Sequence, residues 1–120
     1  MAEIKTYAGG CHCGKVAYEV DLALEHAVQC NCSICAKRGL LLAFAPAEQF
    51  RLLSGRADLQ DYRFNTGKIG HLFCRTCGVE SFAEGEVPGT GASMRAINLR
   101  CVQGLDLESV PIRKFDGAKL

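Results

Sequence analysis

Apolar and polar positions alternate along this chain in short stretches, and no stretch carries a sustained helical face. Val16-Ala17-Tyr18-Glu19-Val20 is rich in β-formers with partial alternation, as expected of a strand. Leu40 to Ala45 is a continuous apolar run of strand length stopped by Pro46, suited to a buried strand. Phe50 to Leu53 ends at the turn pair Ser54-Gly55, and Leu59 to Phe64 alternates imperfectly. Ile69 to Phe73 leads straight into Cys74, and Ser93 to Arg100 reads as another strand. Helical pattern is confined to single turns at Ser33 to Arg38, with Gly39 as the stop, and at Ala47 to Phe50. The segment from Gly85 to Gly91, with three glycines and Pro88, reads as a mobile loop. Many short strands and thirteen glycines predict an all-β fold. Phe44, Phe50, Phe64, Phe73 and Phe82 are its expected aromatic core.

Composition narrows this further. The 120 residues suit one compact domain spanning 1–120, and 48% apolar with 22% charged residues fits a globular rather than a disordered chain. A net charge of +1 offers no strong field for nucleic acid or an anionic membrane. No apolar run approaches the ~18 residues of a membrane span. Met1 to Gly10 lacks the apolar stretch of a secretory leader, so a cytoplasmic protein is expected. In that reducing compartment, clustered thiols point to metal or catalysis before disulfides.

The eight cysteines sort into two sets and one left over. Cys74-x-x-Cys77-Gly78 resembles a zinc knuckle, in which two thiolates share one ion and the glycine permits the tight turn. One knuckle supplies two of the four ligands that a closed structural zinc needs, and Cys11-His12-Cys13-Gly14 is the natural complement. Cys11, Cys13, Cys74 and Cys77 are therefore assigned to one tetrahedral site. Ordinary buried thiols or a disulfide pair are the bland alternative, although cysteines one or two residues apart make strained disulfides. Cys30, Cys32 and Cys35 can face one point if the backbone curls around it. Three protein ligands and an open position are the arrangement of a catalytic zinc, and three thiolates favour a soft sulfur donor over a hydrolytic water. Spacing leaves two other readings in place: a site closed by Cys101 or a histidine, and a metal-free, oxidisable thiol group.

The blocks Gly10-Cys11-His12-Cys13-Gly14, Cys30-x-Cys32-x-x-Cys35, Phe73-Cys74-x-x-Cys77-Gly78 and Asn98-Leu99-Arg100-Cys101, with Phe115-Asp116-Gly117 at the close, resemble the glutathione-dependent formaldehyde-activating enzyme family, which includes centromere-protein-V-like members. The resemblance implies a β-tent fold of twisted antiparallel sheets with zinc-binding loops. It implies two Zn(2+) per chain, one structural on Cys11, Cys13, Cys74 and Cys77, and one catalytic and labile on Cys30, Cys32 and Cys35. The activity it implies is carbon–sulfur lyase chemistry on glutathione or a related thiol adduct, S-hydroxymethylglutathione being the family's named compound. A non-catalytic zinc interaction module and a thiol redox sensor are the competing functions.

Among other residues, Lys37, Arg38 and Arg100 are candidate cations for glutathione carboxylates. His12, His26 and His71 are candidate bases or ligands, with a plain exposed or core histidine as the alternative for each. Glu80 and Ser81 follow the knuckle and are read as strand residues without a chemical role. Cys101 is read as a buried thiol.

Overall fold

The computed structural model describes residues 3–63, 69–87 and 89–117. Ten strands and one short helix follow in order: β1 (Ile4–Gly10), β2 (Ala17–Ala23), β3 (Ala27–Cys30), α1 (Ser33–Arg38), β4 (Leu42–Pro46), β5 (Phe50–Ser54), β6 (Leu59–Tyr62), β7 (Gly70–Cys74), β8 (Phe82–Glu86), β9 (Ser93–Asn98) and β10 (Ile112–Phe115). They form a three-stranded sheet, β1-β2-β5, and a seven-stranded sheet, β10-β3-β4-β9-β8-β7-β6. All pairings are antiparallel except β10 with β3, which is parallel. The all-β expectation holds, and two sheets joined at loops that carry cysteines match the β-tent arrangement.

β2 explains why the sheets meet as they do. Tyr18, Val20 and Leu22 are buried while Ala17, Glu19 and Asp21 are not, the period of two that turns one sheet face inward. Tyr18 packs against Phe50 and Phe82 with ring centroids 5.1 and 5.9 Å away, and Phe50 lies 4.6 Å from Phe82. These rings, with Val16, Ile97 and Leu99, fill the space between the sheets. A smaller apolar cluster of Cys35, Leu40, Leu42, Ala83 and Ala96 lies apart from it, beneath the second cysteine set.

The expected strands at Val16, Leu40, Phe50, Leu59, Ile69 and Ser93 all appear, with edges shifted by a few residues. So do the turns at Ser33–Arg38, which stops at Gly39, and at residues 47–49. Two expectations change. The loop expected from Gly85 begins later, because Gly85 and Glu86 pair with Met94 and Ser93 as the end of a β8–β9 hairpin. Phe44 is not core: it points off β4 and is 46% exposed, since its neighbours Ala43 and Ala45 take the inward positions. Phe50 and Phe73 are half-buried, Phe82 is buried, and Phe64 lies outside the described residues.

Candidate metal centres

The turn from β1 to β2 and the turn after β7 bring Cys11, Cys13, Cys74 and Cys77 together, with all four sulfurs within 4.8 Å of one another. Cys13 Sγ stands 3.6 Å from both Cys11 Sγ and Cys74 Sγ. Sulfurs of a disulfide stand about 2.05 Å apart; sulfurs about 2.3 Å from one tetrahedral ion stand about 3.8 Å apart. The spacing fits the second arrangement, and all eight cysteines are free thiols. Backbone shapes each half. The Val16 N–H donates to Cys11 Sγ at 3.3 Å, and the Gly78 N–H donates to the Cys74 carbonyl at 2.8 Å. Gly78 sits at φ 81°, a value that a side chain resists. The Lys15 ammonium donates to Thr76 Oγ1 at 3.2 Å across the same junction.

The thiols share protons unevenly. Burial raises the Cys77 thiol, but N–H groups of Val79 and Cys13 and the Cys11 and Cys74 thiols outweigh that and bring it down to about 6. Cys13 moves to about 11: the Lys15 N–H lowers it, while desolvation and the three neighbouring thiols raise it further. Four sulfurs this close cannot all ionise alone, and a dication resolves that conflict.

Cys30 ends β3, Cys32 caps α1, and Cys35 lies inside α1, so one strand-to-helix turn supplies a second set of sulfurs within 4.8 Å of one another. The Cys32 N–H donates to Cys30 Sγ at 3.4 Å. Burial, then the Cys32 and Cys30 thiols, hold Cys35 far above the ordinary thiol range. Burial also raises Cys32, but the Cys35 N–H, the Cys35 and Cys30 thiols and the Ile34 N–H outweigh it and leave Cys32 lowered. No fourth Cys, His, Asp or Glu joins this set among the described residues. Cys101 belongs to neither group: its thiol reaches toward the Glu80 carbonyl at 4.0 Å, and burial, then the Cys11, Cys77 and Glu80 charges, lift it to about 11.

The C-terminal strand completes this second set. β10 pairs with β3 with Phe115 opposite Cys30, and the Asn31 N–H donates to the Phe115 carbonyl at 3.1 Å. Gly117 then passes so close that a Cβ there would stand 2.5 Å from Cys30 Sγ and 3.3 Å from Cys32 Cβ.

Beside the three sulfurs opens a cavity of about 580 Å³, and His71 and Glu80 line it with Cys30, Cys32 and Cys35. The Glu80 side chain is 2% exposed; one carboxylate oxygen accepts from Arg38, and the other lies 3.0 Å from His71 Nδ1. Arg38 itself lies over the Phe73 ring at 5.2 Å and the Tyr62 ring at 5.9 Å from the centroids. Sequence reading underrated Glu80 and His71: β7 sets His71 opposite Ala83 of β8, and Glu80, just before β8, is held by the Asn98 amide donating to its carbonyl at 2.9 Å. His12 is exposed and His26 half-buried, and both lie away from this cavity. Arg38 is taken by Glu80 rather than offered to a ligand, Lys37 is exposed, and Arg100 donates to the Gly39 carbonyl at 2.9 Å.

The family model described as glutathione-dependent formaldehyde-activating enzyme matches residues 6–108. The chain is also similar to a crystal structure of a Rhodobacter sphaeroides protein, a structural genomics target, with 32% identity and a TM-score of 0.75 over 88% of this chain and 99% of that one. With both cysteine clusters assembled as its blocks require, the chain belongs to the glutathione-dependent formaldehyde-activating enzyme family.

Proposed function

We propose that this protein is a zinc-dependent carbon–sulfur lyase-type enzyme acting on glutathione or a related thiol adduct such as S-hydroxymethylglutathione. A reducing compartment such as the cytoplasm would keep its seven clustered thiols available to metal. One observation carries the reading: three cysteine sulfurs converge, without a fourth ligand among the described residues, on the wall of a cavity that also holds a carboxylate-bound histidine.

Cys11, Cys13, Cys74 and Cys77 would hold the structural zinc, and Cys30, Cys32 and Cys35 the second. Bound at the three-sulfur site, zinc supplies a soft Lewis acid that favours the thiolate form of an incoming thiol. The remaining chemistry belongs to the chain. With Nδ1 engaged by the Glu80 carboxylate, His71 would act on a substrate through Nε2. Arg38 fixes the other carboxylate oxygen and so the orientation of the ring. In cleavage, His71 takes the hydroxyl proton of the adduct while the carbonyl forms and the carbon–sulfur bond breaks, its electron pair leaving on sulfur. In the joining direction the same ring returns the proton.

Exchange NMR of an equilibrated glutathione–formaldehyde mixture tests this. The metal-loaded protein is expected to accelerate interconversion, and Cys32→Ser to lose about 100-fold or more of that effect. A wild-type protein that holds two metals and leaves the uncatalysed rate unchanged would instead be a zinc interaction module or thiol sensor.

A further inference from the structure

The three-sulfur site borders two spaces of different character. An open groove of about 550 Å³ carries Gln29, Asn31, Arg100, Lys114 and Asp116. The 580 Å³ cavity carries Val28, Leu42, Phe44, Ile69, Met94 and Ala96. Cys30, Cys35, Leu40 and Phe115 line both, so the two spaces share the wall that carries two of the three sulfurs.

The cavity is too large and too apolar for the family's smallest carbon unit. A hydroxymethyl group has two heavy atoms and fills about the space of two waters, at about 30 Å³ each. The acids of the cavity wall are already paired: Glu80 with Arg38 and His71, and Glu84 with Arg56 and Arg95. Among the described residues, an alkyl or aryl group entering there meets no unpaired acid of the wall. Phe44, Ile69 and Phe115 stand 46%, 46% and 47% exposed along it, apolar surface that a ligand would cover.

We propose that the substrate is a hemithioacetal of an apolar aldehyde several carbons long, whose polar thiol carrier lies in the groove and whose carbon substituent fills the apolar cavity. The inference rests on the thiol-adduct reading above and adds the class of the carbon partner. The step balances without an oxidant: the hydroxyl proton goes to His71, the carbon–oxygen double bond forms, and the carbon–sulfur pair leaves with the thiolate. The products are one aldehyde and one thiol. In the joining direction, proton and electron pair retrace that path.

Calorimetric binding of S-methylglutathione and S-hexylglutathione to the full chain tests it apart from turnover. A buried methylene is worth about fourfold in affinity, so burial of only two of the five added methylenes already makes the hexyl conjugate bind roughly tenfold tighter or more, with affinity rising along a methyl, propyl, butyl and hexyl ladder. Gly85→Val sharpens the test. A Cβ at Gly85 would stand 3.5 Å from Ile69 Cγ1 and 4.0 Å from Met94 Cε, ordinary side-chain contacts, so bulk added there enters at the cavity wall. This variant is expected to bring the hexyl-to-methyl ratio close to one. Equal affinities along the ladder on the wild-type chain would overturn the substituent proposal while the thiol reading stands. Binding of neither conjugate would overturn both.

Discussion

The two cysteine clusters use the same donor atom and differ in the span of chain that supplies it. The first takes Cys11 and Cys13 from the β1–β2 turn of the small sheet, and Cys74 and Cys77 from the end of β7 in the large one. An ion there would tie the two sheets together, beside backbone links such as the Gly9–Val102 bridge and the Gln103 N–H to the Ala8 carbonyl. The second takes all its sulfurs from residues 30–35, on one turn of the large sheet. An ion there closes no long loop and braces nothing that β3, α1 and β10 do not already hold. On the proposed reading, ligand span would separate a metal that folds the protein from a metal that works in it.

Breaking the first cluster should do the most damage. Cys74→Ser removes a buried ligand, and structural zinc in small domains is worth on the order of 10 kcal/mol, comparable with the whole stability of a domain. The expected outcome is loss of the cooperative thermal transition by circular dichroism. Cys32→Ser should keep that transition and lose one equivalent of zinc by elemental analysis. Equal damage from both substitutions would erase the distinction.

Gly117→Ala should reach the second cluster without touching its ligands. The added Cβ would press on Cys30 Sγ, an overpacking cost of about 1–3 kcal/mol. The second zinc should bind more weakly in a competition titration with a chromogenic chelator, while the first stays in place. Glu80→Gln should cost about 10- to 100-fold in turnover by releasing the orientation of His71, and both metals should remain. If metal content fell with activity, Glu80 would be supporting the cluster rather than the histidine.

The smallest effect should come from the far face of the small sheet. Hydrogen bonds from Arg51, then from Thr6, hold the half-buried Asp21 carboxyl below its ordinary value. Such a group stabilises the fold above the unfolded carboxylate range and loses that contribution as pH falls through its folded value. Because the pair is solvated and screened, Asp21→Asn should barely move the denaturation midpoint at neutral pH, and less in high salt. A large shift would mean that sheet-one electrostatics rival the metal.

Much of this was legible in the sequence, for a physical reason. Paired cysteines followed by glycine encode a metal turn locally, so the partition of seven thiols could be read before the fold was known. Strands with a buried face, such as β2, announce themselves by alternation. β1, β3 and β10 did not, because their burial is weak or mixed: β10 is exposed at every position and is held by backbone pairing with β3. Glu80 and His71 were missed as a pair because nine residues separate them, and only the β7–β8 pairing and the knuckle between bring them together. Phe44 was misread because hydrophobicity alone does not tell an inward position from the rim of a cavity.

Native mass spectrometry during a chelator titration, with thermal unfolding followed in parallel on the same samples, addresses the division between the two clusters most directly. The chain should pass from two zinc ions to one with its melting transition nearly unchanged, then lose the second ion and the transition together. Release of both ions in one step, or collapse of the fold when the first leaves, would contradict it.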